Sequence, residues 1–224
     1  MLHSMNDDDA DSAVLLERAG RGCPEAAGEL FIRHRDRLRR MVQLRLDHRL
    51  QCRLDESDVL QEVYLEFARC LGDYLRNPAL PFFLWLRYIA GVKLQAIHRK
   101  HLGVKARDAR REMSLCSGAW PQASSISLAA QLLGRHTSPS QAAIRAELQL
   151  RVQEALNAMD AIDREVLALR HFEQLTNSET AQLLGLSEAA ASNRFVRALK
   201  RLKEIMLNTP GMADYTAQSR SQSP

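Results

Sequence analysis

The chain has 224 residues and a formal net charge of +4, from 31 Lys and Arg against 27 Asp and Glu, enough length for two small domains. No apolar run approaches the roughly 18 residues of a membrane span, the opening MLHSMNDDDADS holds no apolar signal core, and Cys23, Cys52, Cys70 and Cys116 form no CxxC pair. A membrane span, a secretory signal and a disulfide scaffold are therefore not expected, and reduced thiols in a cytoplasmic protein are. Glycine is sparse, Leu, Ala, Arg, Glu and Gln dominate, and β-branched alternation is nearly absent, which predicts an all-α fold.

Residues 1–11 read as a disordered acidic leader. A first helix is predicted from about Ser12 to Ala19, ending at the glycines of GRGCP, and Pro24 opens the next. Ala27, Leu30, Phe31, His34, Leu38, Met41 and Val42 give this second helix one buried stripe. Arg33, Arg35, Arg37, Arg39 and Arg40 surround it as a solvated face. Asp55 caps a third helix, over LDESDVLQEVYLEFARCL. Its wide apolar face is Val59, Leu60, Val63, Tyr64, Phe67 and Leu71. Asp58, Glu62 and Glu66 lie four apart on another face, with Gln61 beside them. An acidic stripe on a basic protein does not suit DNA; it suits a basic protein partner.

Gly, Asn and two prolines between Gly72 and Pro81 predict a loop. The helix after it, FFLWLRYIAGVKLQAIHRKHL, places Phe82, Trp85, Leu86, Ile89, Val92 and Ala96 on an inner stripe. Its end is basic: His98, Arg99, Lys100 and His101. Tyr74, Phe83 and Tyr88 fall in the loop or off the stripe, which makes them the candidates for stacking unpaired bases, worth about 1–3 kcal/mol each. His98 and His101 lie three apart but have no further ligand at metal spacing, so no metal and no cofactor is expected.

Residues 103–137 are rich in Ser, Gly and Ala around one apolar run, Ile126 to Leu133, and read as a linker with at most a short helix. Ser138, Pro139 and Gln141 then signal a new helix, with Ile144, Leu148, Val152, Ala155 and Met159 as its buried stripe. Asp160 or Asp163 starts another, carrying Val166, Leu167, Leu169 and Phe172.

The most informative stretch is LTNSETAQLLGLSEAAASNRFVRALKRLKEIM. Thr176 and Glu179 form a capping-box pattern ahead of a helix from Asn177 to Leu184. Ala181 is a small residue suited to a close helix crossing. Gly185 supplies a left-handed turn, and Ser187 caps a helix from Glu188 to about Asn208. Ala191, Phe195, Ala198, Leu202 and Ile205 make the inner face. Arg194, Arg197, Lys200, Arg201 and Lys203 stay outside. A helix, a tight turn and a basic helix are the layout of a helix-turn-helix. Ser192, Asn193 and Arg194 suit base edges near the helix start. Arg197, Lys200, Arg201 and Lys203 suit phosphates.

The predicted organisation is a leader over 1–11, a helical domain over 12–102, a linker over 103–137, a helix-turn-helix domain over 138–207 and a disordered tail over 208–224. No Gly-rich phosphate loop, paired carboxylates or nucleophile–base set appears, so an enzyme is not expected.

Taken together, DESDVLQEVYLEFAR, FLWLRYIA and the block from ALNAMDAIDREV to RALKRLKE resemble the extracytoplasmic-function (ECF) group of bacterial RNA polymerase sigma factors, in the sigma-70 class. The resemblance implies that Asp58, Gln61 and Glu62, with Glu66, dock on the β′ coiled coil of the polymerase. It implies that residues 72–101 capture and melt the −10 element, with Tyr74, Phe83, Tyr88, His98, Arg99 and Lys100 the candidate contacts. It gives Ser187, Ser192, Asn193, Arg194, Arg197, Lys200 and Arg201 to the −35 element. The implied partners are core RNA polymerase (β′ and β subunits), promoter DNA and an anti-sigma factor, with a monomer when free. Two departures stand out: Ser192 where the family often has Lys, and Gly91, Val92 and Lys93 where it carries a more polar stretch. A helix-turn-helix regulator acting without polymerase and a sigma-like decoy are the alternatives.

Overall fold

The computed structural model describes residues 4–51, 53–102, 122–134 and 142–211. Among them the regular structure is helical, in chain order α1 (Ser4–Gly20), α2 (Pro24–Arg45), α3 (Glu56–Arg76), α4 (Phe82–Leu102), α5 (Ser125–Leu133), α6 (Ala142–Asn157), α7 (Ala161–Leu167), a π turn (Ala168–Phe172), α8 (Asn177–Leu184) and α9 (Glu188–Asn208). No described helix is long and apolar enough to cross a membrane. The chain divides into two compact units, one built from residues up to Val42 and 53–102, the other from Gln43–Gln51 with 122–134 and 142–211.

In the first unit α3 is the central element. Its start is fixed by a reciprocal capping box: Asp58 N–H donates to Asp55 at 2.9 Å, and Asp55 N–H donates to Asp58 at 3.1 Å. This register turns Val59, Leu60, Val63, Phe67, Leu71 and Tyr74 inward. Phe67 meets Phe31, Phe82 and Trp85 with ring centroids 5.6, 6.1 and 6.0 Å away, an aromatic cluster worth more than its buried area alone.

Four sequence expectations change here. The first helix begins at Ser4 rather than Ser12, so residues 4–11 are not a disordered leader; an acidic stretch is favourable where a helix begins, because the macrodipole is positive there. The loop is only 77–81, because α3 runs on through Gly72 to Arg76, where the Arg76–Asp73 ion pair sits in its last turn. Tyr74 is 8% exposed and stacks on Trp85 at 4.3 Å, its hydroxyl donating to Leu80 O at 3.0 Å. Phe83 is 5% exposed, with the Arg37 guanidinium 3.5 Å from its ring centre. The expectation of one inner stripe failed because α4 is buried on more than one side, from Phe82, Phe83 and Leu84 through Leu86, Ile89, Ala90 and Leu94.

The core of the second unit joins Leu44, Leu128, Ala129, Leu133, Leu148, Val152, Leu156, Leu167, Ala198, Leu202 and Ile205. The short α5 is thus a core element packed on α6, and the stretch 122–134 is not linker. Ser124 N–H ties its start to Leu44 O at 2.9 Å. Ile144 is 54% exposed instead of buried, and Leu156 fills the inner stripe between Val152 and Met159. Residues 43–51 also leave the N-terminal domain expected over 12–102. Arg45 explains why. Its guanidinium is 1% exposed, pairs with Glu165 at 2.6 Å and with Glu173, and Glu165 also accepts Ala123 N–H at 3.2 Å. Burial pulls the arginine toward neutrality, but the two carboxylates outweigh it and hold the cation above the ordinary arginine pKa. After α9, Thr209 Oγ1 donates to Ile205 O at 2.6 Å and is buried, so the packed chain reaches past 208. The linker residues 103–121, the cap Ser138/Pro139/Gln141, Cys52, Cys116 and the tail from 212 lie outside the described residues.

Candidate nucleic-acid interface

The helix-turn-helix forms as its caps predict. Glu179 N–H donates to Thr176 Oγ1 at 3.0 Å, and Thr176 N–H donates to Glu179 at 2.7 Å. Gly185 takes φ 64° and ψ 33°, the left-handed conformation that glycine adopts without Cβ strain. Leu186 N–H closes the turn on Ala181 O at 2.9 Å. Asn177 Nδ2 reaches across to Glu188 O at 2.9 Å, bonding the start of α8 to the start of α9. Ser187 accepts Ala190 N–H at 3.2 Å and begins α9. Ala181, Ala191 and Ala198 are buried, so small side chains stand on the inner faces.

On the other face of α9, Ser187, Ser192, Asn193, Arg197, Lys200, Arg201 and Lys203 are exposed. Arg201 pairs with Glu204 at 3.0 Å, one turn away. Arg194 and Arg197 differ from the rest. Arg194 donates to Asp163 Oδ1 at 2.7 Å, and Arg197 Nε stands 3.3 Å from Asp163 Oδ2. Asp163 lies in the first turn of α7, whose start is capped by Asp160 accepting Ile162 N–H and Asp163 N–H at 2.9 and 3.3 Å. Sequence reasoning read Asp163 only as a possible helix start; its spacing carries no sign of a bond to α9, 31 residues on.

The other candidates sort by exposure. Arg99 and Lys100 are exposed at the end of α4; Tyr88 and His98 are half-buried. Tyr74 and Phe83 are core, and they leave the set of stacking candidates. On α3, Asp58, Gln61 and Glu62 are exposed, although Asp58 also holds the capping box. Glu66 is bound to Arg69 and lies 2.9 Å from Lys93 of α4. The Arg69 bond first, then the Lys93 bond, hold its pKa down at about 2. Its charge is spent within the protein, so the acidic stripe that faces outward ends at Glu62. No group of three His, Cys, Asp or Glu among the described residues is placed to hold a metal ion.

Comparison with known proteins identifies the family. The family Sigma-70, region 4, matches residues 149–202, which run from α6 into α9. The RNA polymerase sigma factor CnrH of Cupriavidus metallidurans is 30% identical over 203 residues, covering 90% of this chain and 97% of CnrH. The ECF RNA polymerase sigma factor SigD of Mycobacterium tuberculosis is 32% identical over 151 residues, covering 67% of this chain and 63% of SigD. A solved structure of CnrH in complex with the cytosolic domain of CnrY matches with a TM-score of 0.49 and 24% identity, over 86% of this chain and 94% of that one. With nearly the whole of CnrH matched and region 4 lying on the helix-turn-helix, the chain belongs to the ECF group of sigma-70 RNA polymerase sigma factors.

Proposed function

We propose that this sigma factor divides its work among three surfaces. The exposed acidic face of α3, Asp58, Gln61 and Glu62, docks on core polymerase. The basic end of α4, with Arg99, Lys100, His98 and Tyr88, engages the −10 element as the duplex opens. The outer face of α9 reads the −35 element, with Ser192, Asn193 and Arg194 at base edges and Arg197, Lys200 and Arg201 near phosphates. The chain performs no chemistry; polymerase supplies the nucleotidyl transfer, inside the cell. The observation that carries this reading is the region 4 match falling on α6 to α9, with the caps and the left-handed Gly185 in register. An anti-sigma factor is part of the same proposal.

Run-off transcription tests it, with purified core polymerase on fragmented genomic DNA, with and without this chain. Discrete new transcripts are expected, and their start sites give the two promoter elements. Polymerase binding without transcripts would favour a decoy. Loss of both would leave a helix-turn-helix regulator acting alone. A pull-down from cells, probed for a protein that displaces polymerase, tests the anti-sigma factor.

A further inference from the structure

We infer that Asp163 is a positioning residue for promoter discrimination: it holds Arg194 and Arg197 in a fixed pose on α9 and suppresses their indiscriminate attraction to DNA. The inference rests on the reading of α9 as the −35 helix. Three observations carry it. The Asp163 side chain is 11% exposed, so its carboxylate is shielded from water where it meets the arginines. Each of its oxygens faces a different arginine, Oδ1 toward Arg194 at 2.7 Å and Oδ2 toward Arg197 at 3.3 Å. Its own backbone is fixed by the Asp160 cap, so the anion stands on a rigid support.

The chemistry follows from the donor count. A guanidinium has five N–H donors in a planar fork. Asp163 engages Arg194 through one terminal nitrogen and Arg197 through Nε. The remaining donors of each keep the fork geometry that matches a base edge or a phosphate. A flexible arginine gains from any nearby phosphate, whatever the sequence. One already held by a carboxylate gains less from a random phosphate and has less freedom to lose on meeting the matching base. Asp163 therefore lowers affinity for all DNA and raises the ratio of specific to non-specific binding.

The test uses holoenzyme reconstituted from core polymerase and the full chain. The probes are a promoter duplex found by run-off transcription and the same duplex with its −35 element scrambled. Asp163→Asn keeps the size and removes the charge. Binding to the scrambled duplex is expected to rise, the discrimination ratio to fall about tenfold, and the salt dependence to steepen by about one phosphate contact. Asp163→Glu should restore part of the ratio. In an Arg194→Ala/Arg197→Ala background, Asp163→Asn should leave the ratio unchanged. An unaltered ratio in Asp163→Asn overturns the inference. So does equal weakening on both duplexes with a lower melting temperature, the mark of a structural role. Lys200→Ala is the control for the underlying reading: if it leaves binding and salt dependence untouched, the assignment of α9 to DNA falls, and this inference with it.

Discussion

Two carboxylates stand two residues apart on α7, and both hold arginines, yet they work in different settings. Glu165 and its partner Glu173 close on Arg45 in the interior of the C-terminal unit, where the guanidinium is 1% exposed. Asp163 meets Arg194, 27% exposed, and Arg197, 63% exposed, on α9, the helix proposed to read DNA. The first set is sealed from solvent and salt. The second has a buried anion and cations that reach out toward solvent. The same ion chemistry closes a core in one place and, in the role proposed for Asp163, tunes recognition in the other, and burial decides which.

Several substitutions would break or sharpen this contrast. The largest effect is expected at Arg45→Ala, which leaves two carboxylates facing an empty site and costs about 3–5 kcal/mol. Urea unfolding of the full chain checks it, and Arg45→Met with Glu173→Leu should recover much of the loss. Arg194→Ala should cost far less stability but about 1–3 kcal/mol in −35 discrimination if the contact is bidentate. Binding to duplexes altered one base at a time measures it; a uniform loss across sequences would mark a phosphate contact instead.

Glu66 gives a third point on the scale, an ion pair on the flank of α3 and α4. Its carboxyl pKa is lowered from 4.5 to about 2. A lowered carboxyl stabilises the fold above its unfolded pKa and loses that contribution as pH falls. Glu66→Gln should therefore be less stable than the parent at neutral pH, by about 1 kcal/mol or less after solvent screening. The two melting curves should converge as pH drops from 4.5 toward 2. Lys200, exposed and in no ion pair among the described residues, anchors the low end. Lys200→Ala should leave stability unchanged and reduce the salt slope of promoter binding by about one unit or less.

The face of α3 proposed to dock on core polymerase is best probed at a residue outside the cap. Asp58 holds the capping box, so Asp58→Arg would cost about 1 kcal/mol of helix stability besides any lost contact. Glu62→Arg, exposed and outside the cap, is the cleaner substitution. Co-purification with core polymerase should be lost, and an unchanged yield would remove α3 from the docking surface.

How legible the molecule was in its sequence depended on how local the causes were. The helix-turn-helix could be read from Thr176, Glu179, Gly185 and Ser187, because capping and a left-handed turn act within four residues. The Asp55–Asp58 box was half visible, through Asp55 alone. Tyr74 was misplaced because the turn signal at Gly72 does not end α3, which runs on to Arg76, and Phe83 because a single stripe describes a helix with one covered side, and α4 has more than one. The role of α5 was hidden because its apolar run, Ile126 to Leu133, finds its partners on α6, beyond any window along the chain. Arg45, Asp163 and Glu173 were silent for the same reason: a charge in sequence reads as surface until its distant counter-charge is known.

The Arg45 cluster also fixes an order of events at the ribosome. Arg45 is synthesised 120 residues before Glu165 and 128 before Glu173. The C-terminal core therefore cannot complete until a segment made early has waited for α7 and the π turn to emerge, a long-range closure of the kind that slows folding. A fragment cut to begin at the linker would lack Arg45, the buried cation on which Glu165 and Glu173 close. Shortening this sigma factor to the part of its C-terminal unit that follows the linker thus removes a piece of that unit.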